Sequence, residues 1–355
     1  MLRIRIQSTF LAFVAPAAFV LPGCTTAHAE PVYPKIGRVE RLEPALDELV
    51  APDAQFDVLA TGFNFCEGPV WVEQGESGYL LLSDIPRNHV CKWQAGVGKS
   101  IYLEQSGYLG ATPRPNHIVP DEPGSNGLLL DAQRNLVLCQ HGERQVARML
   151  APLDEPTASY ESLALTFDGS RFNSPNDAAF HRNGDLYFTD PPYGLTRKES
   201  DPSKQIAFQG VYRASPDGHV TLLTKEMTRP NGIAFSPDFR TLYVANSDPA
   251  NAIWMAFPVR DDGMLDDGRV LFDATSRVAS EKGLPDGIKV DRNGILFATG
   301  PGGVFVFTPE GRHLGTLRTG QITSNCAFGE DGSTLFVTAH TQLLRMRLAT
   351  VGAGF

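Results

Sequence analysis

The sequence predicts an all-β protein, a six-bladed β-propeller with four-stranded antiparallel blades. Three observations support this fold class. A short phrase that combines Pro, Asn or Asp with apolar residues recurs along the chain, apolar and polar residues alternate with a period of two, and turns such as Asn183-Gly184 and Asn293-Gly294 separate the alternating runs. Because no run keeps a period of 3.6 residues, we expect helices to be incidental.

The recurring phrase marks the first strand of each of six units. It is clearest in SPNDAAF, RPNGIAF and LPDGIKV, and weaker versions stand in CEGPVW, SNGLLL and TSNCAF. Neighbouring phrases lie about 40 to 60 residues apart, which leaves room for four short strands in each unit of a propeller. The polar residues at the matching place are Glu67, Asn126, Asn176, Asn231, Asp286 and Asn325.

The last unit is one strand short. After LLRMRLA the chain continues only to Phe355, so the sixth blade lacks an outer strand. The segment FDVLA, Phe56 to Ala60, precedes the first blade and is the natural donor of that strand. We therefore divide the chain into a signal peptide at 1–29, a lead-in at 30–55 and a propeller at 56–350.

The N-terminal segment has the pattern of a secretory signal. Two arginines precede the run TFLAFVAPAAFVL, which is too short, and too interrupted by Pro16, to span a bilayer. Cleavage fits two sites: Ala27-His28-Ala29 suits ordinary signal peptidase, and LPGC, ending at Cys24, resembles a lipoprotein box. We expect an exported, periplasmic protein, with a lipid anchor on Cys24 as the alternative to a free one.

The overall charge excludes one class of partner. The chain has 355 residues, of which 42% are hydrophobic, and a net charge of −9. This is enough apolar material for a large core, but it is not the basic face that nucleic-acid binding requires. We expect a small-molecule substrate or a bound cation as partner, and the composition leaves the oligomeric state open.

Four cysteines follow the predicted signal, namely Cys66, Cys91, Cys139 and Cys326. None belongs to a C-x-x-C pair, so the sequence carries no zinc-type clustering. Buried free thiols are the favoured interpretation. A bridge between Cys66 and Cys326 is the alternative, because blades one and six adjoin in a closed ring.

The six aligned polar residues are expected to meet at one mouth of the channel, because the first strand of a propeller blade is the innermost. Two carboxylates and several amide oxygens at one point would be costly to desolvate without a positive charge among them. Ca²⁺ accepts carboxylate and amide oxygens, whereas zinc normally recruits His or Cys. The phase in the repeat matters here, since Pro216-Asp217-Gly218 has the same letters as Pro285-Asp286-Gly287 but falls between outer strands, where it predicts a plain turn.

From about Phe56 to Leu348 the chain resembles the senescence marker protein, gluconolactonase and regucalcin-like family of six-bladed propellers. The matching pieces, in order, are CEGPVW, CQHGERQVARM, RFNSPNDAAF, YFTDPPYGL, RPNGIAFS, LPDGIKVD and SNCAFGEDG. The resemblance implies one divalent metal, most simply Ca²⁺ with Zn²⁺, Mn²⁺ or Fe²⁺ as alternatives. The implied ligands are Glu67, Asn176, Asn231 and Asp286.

The resemblance also implies hydrolysis of lactones, commonly sugar lactones, with Asp286 serving as catalytic base as well as ligand. The substrate contacts that we expect are Asn126, His141, Asp177 and Tyr193, with Arg144 and Asp190 near them and Asn325 in a structural role. One position departs from the pattern. Sugar lactonases of this family carry an Arg two residues before the third-blade Asn, and this chain has Ser174 there, which puts a preference for aldonolactones in doubt.

Two other functions stay open. A channel cation could activate a phosphoryl or aryl ester oxygen, which would make the protein a phosphotriesterase or arylesterase. A propeller can also bind a ligand or calcium without turnover, because this fold hosts many unrelated functions. The sequence contains neither a G-x-S-x-G elbow nor an H-E-x-x-H motif, so a serine nucleophile or a metalloprotease site is not indicated.

Overall fold

In a computed structural model of the protein, the described residues are Leu2, 32–75, 77–110 and 121–355. Apart from Leu2, the predicted signal peptide lies outside these residues, and so does Cys24, on which the lipid anchor was predicted. Across the described ranges, none of the helices has the length and apolar character needed to cross a membrane.

The strands that precede the first blade are β1 (Lys35–Ile36), β2 (Arg38–Arg41) and β3 (Phe56–Thr61). Blade one consists of β4 (Cys66–Gln74), β5 (Ser77–Asp84), β6 (His89–Gln94) and β7 (Gly98–Glu104). Blade two consists of β8 (Ser125–Leu130), β9 (Leu136–Gln140), β10 (Gln145–Met149) and β11 (Tyr160–Ala164). A small hairpin, β12 (Thr166–Phe167) and β13 (Ser170–Arg171), follows it.

Blade three consists of β14 (Ala178–Phe180), β15 (Leu186–Asp190), β16 (Gly210–Ala214) and β17 (Val220–Thr224). Blade four consists of β18 (Pro230–Phe235), β19 (Thr241–Asp248), β20 (Asn251–Pro258) and β21 (Arg269–Asp273). Blade five contains β22 (Ile288–Val290), β23 (Leu296–Gly300), β24 (Gly303–Phe307) and β25 (His313–Arg318). Blade six contains β26 (Asn325–Gly329), β27 (Thr334–Ala339) and β28 (Gln342–Arg347).

The helical elements among the described residues are short 3-10 turns at Pro44–Glu48, Ile85–Arg87, Lys198–Ser200 and Thr275–Arg277. The first strands of the six blades contact one another in the order β4, β8, β14, β18, β22 and β26, and β26 contacts β4. The predicted six-bladed propeller, with the first strand of each blade innermost, is therefore confirmed.

The ring is closed by the predicted N-terminal strand. β3 pairs antiparallel with β28, with Ala60 opposite Leu343, so the outer strand of blade six comes from the segment before blade one. The lead-in also supplies two strands that were not predicted: β1 extends blade six, and β2 pairs with β25 of blade five. Leu46 and Val50 are fully buried and anchor the lead-in to a core formed by residues of blades five and six.

The core lies between adjacent blades, where apolar side chains of facing sheets pack together. At the junction of blades one and six, Trp71 stacks on Phe336 with ring centroids 5.4 Å apart. The cysteines at positions 66, 91, 139 and 326 are buried free thiols, as the favoured interpretation predicted. The thiol of Cys66 lies against the carbonyl oxygens of His340 and Gln342, and burial raises its pKa.

Candidate active site

Local irregularities of the inner strands aim the ring residues inward. The pairing register shifts at Glu67 in β4, at Asn126 in β8 and at Asn231 in β18. Each residue is followed by a glycine, and a β-bulge of this kind re-aims a side chain. At Gly68 φ is +54°, and a Cβ atom would lie 2.0 Å from the Asn126 carbonyl oxygen, so only glycine lets blades one and two approach so closely.

In blades three and five the ring residues lie just before the inner strand. The N–H of Asn176 donates to Thr189 O at 2.9 Å, and that of Asp286 donates to Thr299 O at 3.0 Å. The hydroxyl of Thr189 in turn donates to Asn231 O in the next blade at 2.7 Å. The backbones that carry the ring are therefore fixed to one another across blade boundaries.

A second set of hydrogen bonds, repeated in three blades, fixes the backbone just before the ring residues. At the end of the second strand, Asp84, Asp190 and Asn246 accept hydrogen bonds from backbone N–H groups two or three residues before Glu67, Asn176 and Asn231. Asp190 accepts from Asn173 and Ser174 at 2.8 Å each, and burial raises its pKa to about 7. Asp190, which was expected near the substrate contacts, therefore fixes the backbone that leads to Asn176. The endings LSD, FTD and VAN of the second strands carry this signal in the sequence.

The carboxylates of the ring meet near the channel axis. Glu67 and Asp286, from blades one and five, lie close enough to interact electrostatically, and Asp177 of blade three lies close enough to interact with both. Burial is the largest cause that raises the pKa of Glu67, Asp177 and Asp286, and their mutual repulsion adds to it for Glu67 and Asp286.

Four ring oxygens are buried without a hydrogen-bond partner, namely Glu67 Oε1, Asn126 Oδ1, Asn176 Oδ1 and Asp286 Oδ1. Buried acceptors are normally satisfied, so a group of four at one mouth fits a bound cation with oxygen ligands. Three of these atoms belong to the predicted ligands Glu67, Asn176 and Asp286, and the other belongs to Asn126. The fourth predicted ligand, Asn231, is buried in β18. Within the described ranges no three His, Cys, Asp or Glu side chains are grouped to hold a metal ion. The predicted site contains only two residues of these four types, Glu67 and Asp286, because its other two ligands are asparagines.

Asn325 contacts the site rather than standing apart from it. Its Nδ2 lies 3.5 Å from Asp177 Oδ2, and its Oδ1 accepts the N–H of Cys326 at 2.9 Å. Lys289, which the sequence reasoning did not single out, places its Nζ 3.5 Å from Asn325 Oδ1. The only hint of Lys289 was a polar residue in the inner-strand phrase LPDGIKV.

The segment 191–209, which joins β15 to β16 and is called the blade-three segment below, lies against blades two and four. Tyr193 donates its hydroxyl to Ser247 O at 3.1 Å, and Arg229 pairs with Glu199 at 2.9 Å, which ties this segment to blade four. Arg144 of blade two donates to Phe172 O at 2.6 Å and to Ser203 O at 2.8 Å. Arg144, which was expected near the substrate contacts, therefore fixes the segment from the other side.

His141 is fully buried at the same mouth, directly after β9, and lies against Gly194 of the blade-three segment. Its Nδ1 is 3.8 Å from Glu122 Oε2. Glu122, which the sequence reasoning missed, lies close enough to interact with Asp286 and Tyr193. The predicted contacts His141, Asp177 and Tyr193 are thus brought together with Asn126 around the ring.

Comparison with known proteins places the chain in a family. The family model of the SMP-30/gluconolactonase/LRE-like region matches residues 65–341, which span all six inner strands. The chain belongs to this family. A gluconolactonase of Zymomonas mobilis is 37% identical over 322 residues, covering 89% of this chain and 88% of that protein.

Other members of the SMP-30/gluconolactonase-like family agree with this assignment. The solved structure of a gluconolactonase from Xanthomonas campestris has a TM-score of 0.73 and 31% sequence identity, covering 91% of this chain and 99% of that one. The regucalcin of Sus scrofa is 26% identical over 278 residues, covering 77% of this chain and 82% of that protein.

The departure of this family member at Ser174 has a structural reason. Ser174 is fully buried, its hydroxyl donates to Pro191 O at 2.6 Å, and the same oxygen accepts the N–H of Gly194 at 2.9 Å. The side chain therefore holds the start of the blade-three segment.

Proposed function

We propose that the chain is a metal-dependent lactone hydrolase in which Asp286 accepts a proton from the attacking water. The similarity to proteins named gluconolactonase supports the opening of lactones. The observation that carries the metal dependence is the group of buried acceptor oxygens without partners at the channel mouth. Repelling carboxylates coexist there at the axis, and a cation would relieve that repulsion.

The residues that would hold the metal are Glu67, Asn176, Asn231 and Asp286. Calcium is the first candidate, since every donor is an oxygen, and Zn²⁺, Mn²⁺ or Fe²⁺ are the alternatives. A divalent cation at this ring would polarise the lactone carbonyl and stabilise negative charge on its oxygen. The neighbouring blades fix the backbones of these ligands, so little reorganisation would be needed on binding.

Asp286 combines burial with access to the mouth. The residue as a whole is partly exposed to solvent, although its Oδ1 atom is buried. Burial first, and then the neighbouring Glu67, raises the pKa of its carboxyl group, and a carboxylate with a raised pKa is a better proton acceptor at neutral pH. Asp286 would accept a proton from a water as the water oxygen bonds to the carbonyl carbon. The ring C–O bond would then break, and the same proton would pass from Asp286 to the departing ring oxygen, which gives the hydroxy acid. General base catalysis of this kind contributes about 10²–10⁴ in rate.

The test is a pH-stat assay of gluconolactone hydrolysis, with Ca²⁺ and with a chelator. We expect the chelator to abolish the activity, and Asp286→Asn to lower kcat/KM by about 10² or more while the folded spectrum is kept. Asp217→Asn is the matched control, because Asp217 stands in the same Pro-Asp-Gly sequence in an exposed turn between β16 and β17. Full activity of Asp286→Asn, or of the chelated enzyme, would contradict the proposal.

The same assay separates the other functions. A phosphotriester and an aryl ester are run beside the lactone at equal concentration. Faster turnover of either one would replace lactone opening as the main reaction. Calcium binding without turnover of any substrate would instead indicate a binding protein.

A further inference from the structure

Three carboxylates approach the channel axis at the ring, from blades one, three and five. Glu67 and Asp177 are almost completely buried. Asp286 is partly buried, with its Oδ1 inaccessible, and each of the three carboxylates interacts electrostatically with another. If all three are ionised when metal is bound, the axis carries three negative charges. A single divalent cation would neutralise only two of them.

The remaining positive charge is supplied by Lys289. This residue lies on β22, and its Nζ donates to Ile288 O at 3.0 Å and approaches Asn325 Oδ1 at 3.5 Å. The amide of Asn325 continues the contact to Asp177 Oδ2, also at 3.5 Å. Lys289 thus reaches the carboxylate of blade three through one intervening side chain.

Other charged residues near the ring do not balance the third carboxylate charge. Glu122 lies close enough to interact with Asp286, but it has a neighbouring cation of its own in Lys198. Among the cations that act on Asp177, Lys289 has the strongest favourable interaction. The charges of Lys289, Glu67 and Asp177 all influence the pKa of the Cys326 thiol, in the inner strand of blade six. The three charged groups therefore lie around one part of the channel.

We propose that Lys289 is a permanent countercharge of the site: its ammonium group and one divalent cation together neutralise Glu67, Asp177 and Asp286, and this balance selects a divalent over a trivalent ion. Lys289 is a positioning residue and touches neither the metal nor the substrate. The inference rests on the proposed metal site, and its test is therefore a binding measurement that does not depend on turnover.

The test compares Ca²⁺ with Tb³⁺, two oxygen-seeking ions of similar size that differ by one charge. Affinities are measured by calorimetry for Ca²⁺ and by luminescence for Tb³⁺ on the full chain. In Lys289→Met we expect the preference for Tb³⁺ over Ca²⁺ to rise about tenfold, since a nearby unit charge has been removed from a partly buried site. Lys289→Arg keeps the charge and should keep the wild-type preference.

A second substitution tests the balance directly. Lys289→Met combined with Asp177→Asn removes one positive and one negative charge, so the preference should return to about the wild-type value. If Lys289→Met does not fold, Lys289→Gln replaces it in both proteins. A lysine with a purely structural role would weaken the binding of both ions equally, so the preference in Lys289→Met would stay at the wild-type value.

Three outcomes overturn the proposal. One is an unchanged Tb³⁺ to Ca²⁺ preference in folded Lys289→Met, and another is a shift that persists in the double variant. The third is a wild-type protein that binds neither ion, which would overturn the proposed metal-dependent function at the same time. Wild-type binding with an unchanged preference in the variant would leave that function standing and refute the countercharge alone.

Discussion

Asn325 and Asp177 come from blades six and three, on opposite sides of the propeller, and their side chains approach to 3.5 Å. The channel is therefore bridged by polar side chains at its axis, directly beside the candidate ligands. Both residues are almost completely buried. A site whose parts come from opposite blades depends on closure of the whole ring, so chemistry at the mouth and stability of the fold are coupled.

Loss of the blade-one carboxylate should weaken metal binding. Glu67→Gln keeps the size of the side chain but removes one of two charged ligands, and we expect the Ca²⁺ affinity to fall by about a hundredfold because affinity follows ligand charge. Calorimetry on the purified protein measures it. Glu73→Gln is the matched control, since Glu73 lies at the exposed end of the same strand. Equal Ca²⁺ affinities in the two variants would remove Glu67 from the site.

The residues that hold the approach to the ring give a second prediction. Asp190→Ala removes the acceptor of the Asn173 and Ser174 N–H groups, so Asn176 should lose its fixed position. Residues that orient metal ligands typically account for about 10–100-fold in metal affinity, and we expect a loss in that range. Asp266→Ala, at an exposed position, should leave the affinity unchanged. Tight binding by Asp190→Ala would show that the ligand positions do not need this support.

These residues show what a single sequence can reveal. The six ring residues were predicted because each one is encoded in a local phrase whose phase repeats along the chain. The roles of Asp84, Asp190 and Asn246 were present in the same repeat, at the ends of the second strands, but their backbone partners could be identified only in the folded structure. Local patterns thus predicted where the ring lies and left out what supports it.

Long-range contacts escaped prediction for a different reason. Lys289 alternates with buried residues in β22, which in an isolated strand is the pattern of a solvent-facing lysine. Its contact with Asn325 depends on how blades five and six are placed. The same holds for β2, since nothing in RVER indicates that it would pair with β25 at the outer edge of blade five.

The pH dependence of the metal-free protein follows from the buried carboxylates. Burial raises the pKa of Glu67 and Asp286 above that of ordinary carboxyl groups, which is about 4. The folded state therefore holds protons that the unfolded state releases, and stability is lost as pH rises from about 4 through these raised values. We expect a lower melting temperature at pH 8 than at pH 6 in the presence of chelator.

Saturating Ca²⁺ is the control for that experiment. Metal requires ionised ligands, so binding releases protons and becomes tighter as pH rises. The decline of melting temperature between pH 6 and pH 8 should then shrink or reverse. In Glu67→Gln this decline should be smaller than in the wild type even without metal. A melting temperature that rises toward pH 8 with chelator present would mean that these carboxyl groups are ionised in the metal-free fold.

Closure of the ring by the N-terminal strand makes the last prediction. Phe56 opens β3, is fully buried and packs in the core shared by blades five and six. Phe56→Ala should destabilise the protein by about 3–5 kcal/mol, because the cavity adds to the lost burial. Denaturation in guanidinium chloride measures this as a shift of the midpoint at unchanged slope. Leu42→Ala, in the lead-in before β3 and 50% exposed, should change stability by less than about 0.5 kcal/mol. If both variants unfolded at the wild-type midpoint, β3 would not be part of the cooperative fold.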